Sequence, residues 1–403
     1  MPPRGRTPLL LLLFAGLALH PGARAAAVGE GKPGTLEPIL LSGDTAGARQ
    51  PSVAVDSRGG VHVAFVAGSR ILLASRPAGE ASFAGSPLPV ADAPLAACGM
   101  RRGPRIAACA CGLVVTWIEA RYDAEKRTVL GSRNLLASLS TDRGRSWSAP
   151  VAVNGRPAVC GEGLHALAAG PGDLLYAAWL QPGEEGKKGT VIRFSRSEDA
   201  GRTWTGEHTV YASPSGSVCE CCHPSVAVGA DGTVAVLFRN SLEGARDMFV
   251  ARSSDKGRTF APARRLGRGT WPLKGCPMDG GGIAFGPGGV LFAAWRREKS
   301  VFLTGAGEAE EDAGPGFQPW AGGVPGGAAF AAWSDPSGDL VATSLGPAPR
   351  EVRRVVAGGE RCDWPVVAGS ASGVVFAAWE RVPADAARSR VEGAFLLAPS
   401  PPR

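Results

Sequence analysis

The chain has 403 residues, of which 44% are hydrophobic, with 57 glycines, 33 prolines and a formal net charge of +7. That length admits one large domain or two ordinary ones, and the apolar fraction suffices for a sizeable core. The basic residues are scattered, with no Lys/Arg block interleaved with aromatics, so a nucleic-acid partner is excluded.

Arg4 and Arg6 precede an apolar run from Leu9 to Leu19, followed by Ala23-Arg24-Ala25. A basic start, a run too short to span a bilayer and a small-x-small site read as a signal peptide over 1–25. Residues 26–403 are then expected to form one exported domain, periplasmic or extracellular, monomeric and without a membrane span. Removing the three signal arginines leaves a net charge of about +4.

From there on, one pattern recurs seven times: an apolar strand, a Gly-containing turn, and a second apolar strand ending in an aromatic. The copies span 51–65, 104–117, 164–179, 224–238, 281–295, 319–333 and 364–379. A third strand follows at 134–140, 191–197, 248–254 and 393–398, and a fourth at 149–154 and 208–213. Four short antiparallel strands per unit, repeated, predict an all-β propeller. Seven blades are favoured over six; the uncertain unit is the fifth, where the acidic stretch 307–316 makes a poor fourth strand. The last unit lacks a fourth strand, and residues 37–42 are expected to supply it and close the ring.

Between third and fourth strands lie STDRGRSW (140–147), SEDAGRTW (197–204) and SSDKGRTF (253–260). These resemble the Asp-box, or BNR repeat, of sialidases and related propellers. The resemblance implies that Asp142, Asp199 and Asp255 bind the turn's own backbone. Gly144, Gly201 and Gly257 would supply the turn, while Trp147, Trp204 and Phe260 pack between sheets. It also places these turns on the face away from any active site. Segments 237–249, 276–282 and 293–298 further resemble a subgroup of exported bacterial proteins that carry the sialidase label on fold grounds.

A site is therefore expected on the other face, where loops lead into first strands and leave second strands. Arg239, Arg246, Arg296 and Arg297 gather there, as a cluster that can hold an anionic ligand through bidentate pairing. By the resemblance, a sialidase-type glycoside hydrolase would add a Tyr nucleophile with a Glu, and an Asp acid/base. Tyr122 with Glu119, and Asp247 or Asp279, are the candidates; the family's Phe/Tyr-Arg-Ile-Pro segment is absent. A second feature is sulfur and histidine: Cys160, Cys219, Cys221, Cys222, His223, Cys276 and Cys362 all precede first strands. Soft ligands of this kind suit copper or zinc, although in an exported protein disulfides are favoured over a metal. A third alternative is a non-catalytic module binding a glycan, an anionic small molecule or another exported protein. No Ser/His/Asp motif, phosphate loop or dinucleotide fingerprint is present.

Overall fold

The computed structural model describes residues 36–123, 125–126, 128–156, 164–183, 189–305, 309–346, 352–356 and 358–398. The expected signal peptide and Cys160 lie outside the described residues. Seven antiparallel sheets form the ring, six with their strands in sequence order from first to fourth and the seventh completed by the N-terminal strand.

Blade 1 comprises Ala48–Val55, Val61–Ala67, Arg70–Arg76 and Leu88–Asp92. Blade 2 comprises Arg105–Cys109, Gly112–Asp123, Thr128–Ser140 and Val151–Ala152, and blade 3 His165–Ala169, Leu175–Pro182, Thr190–Ser197 and Thr205–Ala212. Blade 4 is built from Ser225–Val228, Val234–Leu242, Met248–Ser253 and Arg264–Leu266, with Gly216–Val218 pairing the far end of its second strand. Gly282–Phe285, Leu291–Arg297, Ser300–Thr304 and Glu310–Pro315 make blade 5. Phe317–Gly323, Ala329–Ser334, Leu340–Leu345 and Arg353–Val356 make blade 6. Blade 7 takes Arg361–Gly369, Val375–Val382 and Arg390–Leu397, and its fourth strand is Ile39–Leu40, paired to Gly393 and Glu392. The N-terminal strand thus completes the last blade, as the sequence leads one to expect.

The acidic stretch in blade 5 is a true fourth strand. An outermost strand meets solvent on one edge, so carboxylates are tolerated there, and Glu310 accepts both Arg297 NH groups from the second strand at 2.8 and 2.6 Å. Among the described residues no helix is long and apolar enough to cross a membrane.

The first strand of every blade lies beside the first strands of its two neighbours, so these strands line the central channel. The aromatic that ends each repeat is buried in the layers between blades: Phe65, Trp117, Trp179, Phe238, Trp295, Trp333 and Trp379. One large flat side chain per blade at one register fills the wedge between twisted sheets.

The Asp-box turns behave alike. In blade 4, Asp255 Oδ1 accepts the Thr259 amide at 2.9 Å and Oδ2 its hydroxyl at 2.6 Å, while Ser253 Oγ accepts the Gly257 amide. Asp142 and Asp199 repeat this set in blades 2 and 3. The Ser146 hydroxyl and amide hold the Asp142 carboxyl down at about 2. Trp147, Trp204 and Phe260 pack on three successive inter-blade cores. The Ala200 amide in the blade 3 box donates to Asp173 O, in the turn between that blade's first two strands. Asp-boxes and these turns therefore share one face, opposite the leading loops.

Gly257 has φ of +75°, and a Cβ there would come within 2.8 Å of the buried Phe194 ring. Gly257→Ala is expected to destabilise the protein by roughly 2–3 kcal/mol from left-handed strain and overpacking. Urea denaturation checks this, and a midpoint unchanged from wild type contradicts the packing described.

Candidate functional site

Five first strands are led in by a proline: Pro51, Pro104, Pro224, Pro319 and Pro365. In blades 1, 6 and 7 the residue before it has positive φ, namely Gln50 (56°), Gln318 (57°) and Trp364 (55°), and the strand register shifts there. Non-glycine residues pay for this conformation, so surrounding contacts must hold it. The bulge turns each residue's amide toward the neighbouring blade, where a side chain receives it. Gln318 N donates to Asp279 Oδ2 at 2.8 Å, Trp364 N to Gln318 Oε1 at 2.5 Å, and Gln50 N to Glu380 Oε2 at 3.2 Å. A relay of clasps thus runs from blade 5 through 6 to 7, with another from 7 to 1.

Inside this rim the channel is plugged. Arg101, leading into blade 2, reaches across to blades 6 and 7 and donates to Gln318 O at 2.6 Å and Pro365 O at 3.0 Å. Its guanidinium lies 4.8 Å from the centre of the Trp320 ring, against which His223 also stacks at 5.6 Å. Beneath the plug is a cavity of about 60 Å³, lined by Ser52, Arg105, Ile106, Leu167, Val226 and Trp320 among others. That is room for a water or two, far below the volume of a sugar ring.

The predicted arginines divide by role. Arg239 is 1% exposed, and its three nitrogens donate to Asp279 O (3.0 Å), Arg246 O (2.5 Å) and Arg296 O (2.8 Å). It ties three loops together and presents no free fork to a ligand. Arg297 is spent on Glu310 and lies over Phe302. Arg296 is nearer the surface: it pairs with Asp279 Oδ2 at 3.0 Å and sits between the Trp271 and Phe317 rings, at 5.2 and 5.6 Å. Arg246 contributes its carbonyl to Arg239 and its amide to Trp271 O.

The predicted acids are likewise engaged. Asp247 accepts Thr270 Oγ1 and the Trp271 amide and pairs with Arg265, which fixes the loop that carries Trp271. Asp279 is 2% exposed; its Oδ2 serves Arg296 and Gln318, and its Oδ1 lies buried without a protein partner. Glu119 accepts the Ser132 amide within its own hairpin, and Tyr122 stands opposite Val129 further along it. The Tyr122 side chain lies outside what the structure describes. The structure thus brings Arg239, Arg246, Arg296, Asp247 and Asp279 into one network at blades 4 and 5, with Glu119 and Tyr122 in a separate hairpin on blade 2.

Sequence reasoning passed over Gln50, Gln318, Trp271, Phe317, Trp320 and Trp364. The signal that finds most of them is the repeated residue-Pro step before first strands. Phe317 is 41% exposed beside Arg296, and Met278, as exposed, stands in the loop between Pro277 and Asp279 to which Arg296 is bonded.

Cys219, Cys221 and Cys222 are brought together, their sulfurs all within 4.8 Å of one another. Their thiols, with those of Cys98, Cys109, Cys111, Cys276 and Cys362, are unpaired by disulfides in this structure. Cys362 is buried in a different core, beside Arg381, where burial pushes its thiol up to about 12. His223 points away from the sulfurs: its Nε2 meets Gly281 O at 2.9 Å.

Charge at this centre is one-sided. Arg101, Arg105 and Arg239 are buried with backbone carbonyls as hydrogen-bond partners. Burial pulls Arg101 down to about 9, against the help of Asp279, and Arg105 down to about 10. Burial first, and the field of Arg105 second, hold His165 well below its usual 6.5; burial and Arg101 do the same to His223.

Both histidines are thus neutral in the folded protein and gain protons on unfolding at acid pH. A folded-state value below the unfolded one makes stability fall as pH drops below 6.5. Melting temperature is expected to decline from pH 6.5 downward, before the carboxylates titrate, and a His165→Gln, His223→Gln double variant should flatten that limb. An unchanged acid limb in the double variant contradicts the assignment.

Residues 121–274 match the BNR repeat-like domain family. A search of curated proteins found no sequence match. Among solved structures, a protein of unknown function from Dyadobacter fermentans superposes with a TM-score of 0.57 at 15% identity, covering 90% of this chain and 99% of that one. The α-L-arabinanase of Penicillium chrysogenum, solved with arabinobiose, gives 0.51 at 12% identity over 91% and 99%. A polysaccharide lyase described as an ulvan lyase gives 0.54 at 9% identity over 90% and 96%. At such identities the structural likeness speaks for the fold alone. The chain is thus a seven-bladed β-propeller with three Asp-box turns, and its residues 121–274 match the BNR repeat-like family.

Proposed function

We propose that the protein is an exported module that binds an anionic glycan on the face of its leading loops and does not hydrolyse it. The observation that carries this reading is the unbalanced positive charge at the ring centre. Arg101, Arg105 and Arg239 are buried on carbonyl oxygens, and the one carboxylate in their network, Asp279, is already shared with Arg296. An anionic group settling on the rim relieves this excess, and a low-dielectric surround strengthens the attraction.

The rim supplies what a sugar needs beside charge. Phe317 gives an exposed aromatic surface, with the Arg296 guanidinium against it. Aromatic surface with a few convergent polar groups is the usual lining of small-ligand sites. Two structurally similar propellers act on carbohydrate, an arabinanase and a polysaccharide lyase, which supports a glycan as the ligand class. Against hydrolysis stand the hydrogen-bonded state of Asp247 and Asp279 and the placement of Glu119 and Tyr122 in another hairpin.

Calorimetric titration with a uronate- or sialate-bearing oligosaccharide and its neutral carboxyl-reduced counterpart tests the reading. The acidic sugar is expected to bind at least about tenfold more tightly, with affinity falling as salt rises. Phe317→Ala is expected to weaken binding about tenfold with little change in melting temperature, because the side chain is half exposed. Equal affinity for the two sugars contradicts the proposal, as does release of fluorophore from a fluorogenic sialoside by the wild-type protein.

A further inference from the structure

The rim network leaves the sulfur cluster of blades 4 and 5 unexplained. Cys219, Cys221 and Cys222 form a buried group of their own, apart from the inter-blade cores. Cys219 Sγ lies 3.6 Å from Cys221 Sγ and 3.4 Å from Cys222 Sγ. The Cys222 amide donates to Cys219 O, so the segment turns as a Cys-x-x-Cys knuckle, and the Cys219 amide is anchored on Arg239 O at 2.9 Å. A fourth sulfur is offered by the next blade: Cys276, exposed at the start of the loop carrying Met278 and Asp279, stands near enough to act on the Cys221 thiol, just outside the tight trio.

These spacings fit a shared cation. Sulfurs at about 2.3 Å from a tetrahedral ion stand about 3.8 Å apart, near the 3.6 and 3.4 Å found within the trio. A disulfide needs about 2.05 Å, and the adjacent Cys221 and Cys222 cannot bridge without strain. Charge also fits. Several thiolates around one cation carry net negative charge, and the guanidiniums of Arg246 and Arg239 lie close enough to act on Cys219 and Cys222 respectively. The other sulfur group, Cys109 and Cys111 with Asp173, has an ordinary explanation, since the Cys111 amide donates to Asp173 Oδ1 and so joins the turns of blades 2 and 3.

We propose that Cys219, Cys221 and Cys222, with Cys276 closing the fourth corner, hold one thiophilic d10 cation, Zn²⁺ or Cu⁺, that ties the leading loop of blade 4 to that of blade 5. Binding replaces the thiol protons by the metal, which leave to solvent; no oxidation is involved. The tie fixes the loop that presents Met278 and Asp279 to the rim, but the proposal stands whether or not a glycan binds there.

The full chain without its signal, isolated reduced and free of metal, is titrated with Co²⁺. One equivalent is expected to produce sulfur-to-cobalt charge-transfer absorption and the visible bands of a tetrahedral site. Zn²⁺ should erase both stoichiometrically, and a Cu⁺ titration against a chromophoric chelator shows which cation is held more tightly. Cys276→Ser, at an exposed position, is expected to weaken Co²⁺ binding by about tenfold or more while the protein stays folded. Cys111→Ser should leave it unchanged. Absence of the bands at one equivalent in protein with its thiols intact overturns the proposal. So does a disulfide within the cluster, mapped by peptide mass in protein matured through export.

Discussion

Guanidinium groups hydrogen-bonded to backbone carbonyls hold the centre of this ring, and the rest of the rim is arranged around them. Arg101 crosses from blade 2 to the carbonyls of Gln318 and Pro365, and Arg239 gathers those of Asp279, Arg246 and Arg296. Carbonyl dipoles solvate a buried cation without neutralising it, so the positive field persists at the mouth. Its reach is visible in His165 and His223, both kept neutral by burial and by these arginines. A lysine could not replace Arg239, because its three contacts in three directions need the planar fork.

The two faces of the ring divide the work. Asp-box turns satisfy their own backbone groups and wedge an aromatic between sheets, which stabilises individual blades locally. On the opposite face the satisfaction is between blades: Asp279 serves Gln318, Gln318 serves Trp364 and Glu380 serves Gln50. Positive-φ bulges are the means by which a first strand turns its amide outward to a neighbour. Asp279, a catalytic candidate in the sequence, is one such clasp, and the buried Glu380 is another. Fold and function separate at this point: the blade repeat dictates the ring, and the leading loops dictate its chemistry.

The fold was legible because blade formation is local. Period-two apolar runs, turn glycines and the Asp-box each act within a few residues, and even the closing strand at Ile39–Leu40 could be assigned from the shortfall in the last unit. The fourth strand of blade 5 was harder, because its carboxylates find their partner, Arg297, only across the sheet. The site was legible only as a region. Loop position placed Arg239, Arg296 and Asp279 together on the leading-loop face, but whether a guanidinium points to solvent or to three carbonyls depends on bulges in other blades. Gln318 and Trp320 escaped notice since a Gln-Pro-Trp step carries no obvious chemistry until its amide and ring are seen against blades 5 and 2. The cysteines sort the same way: sequence grouped Cys362 with the others by position, and only the ring geometry separates it from the trio on blade 4.

The central claim is that the excess positive charge at the leading-loop face draws an anionic ligand to that face. A crystal structure with a bound acidic oligosaccharide tests it most directly. The account predicts the carboxylate over the rim near Arg296 and Arg101, with a sugar ring against Phe317. A ligand bound at the Asp-box face, or bound at the rim with its carboxylate turned to solvent, would contradict it.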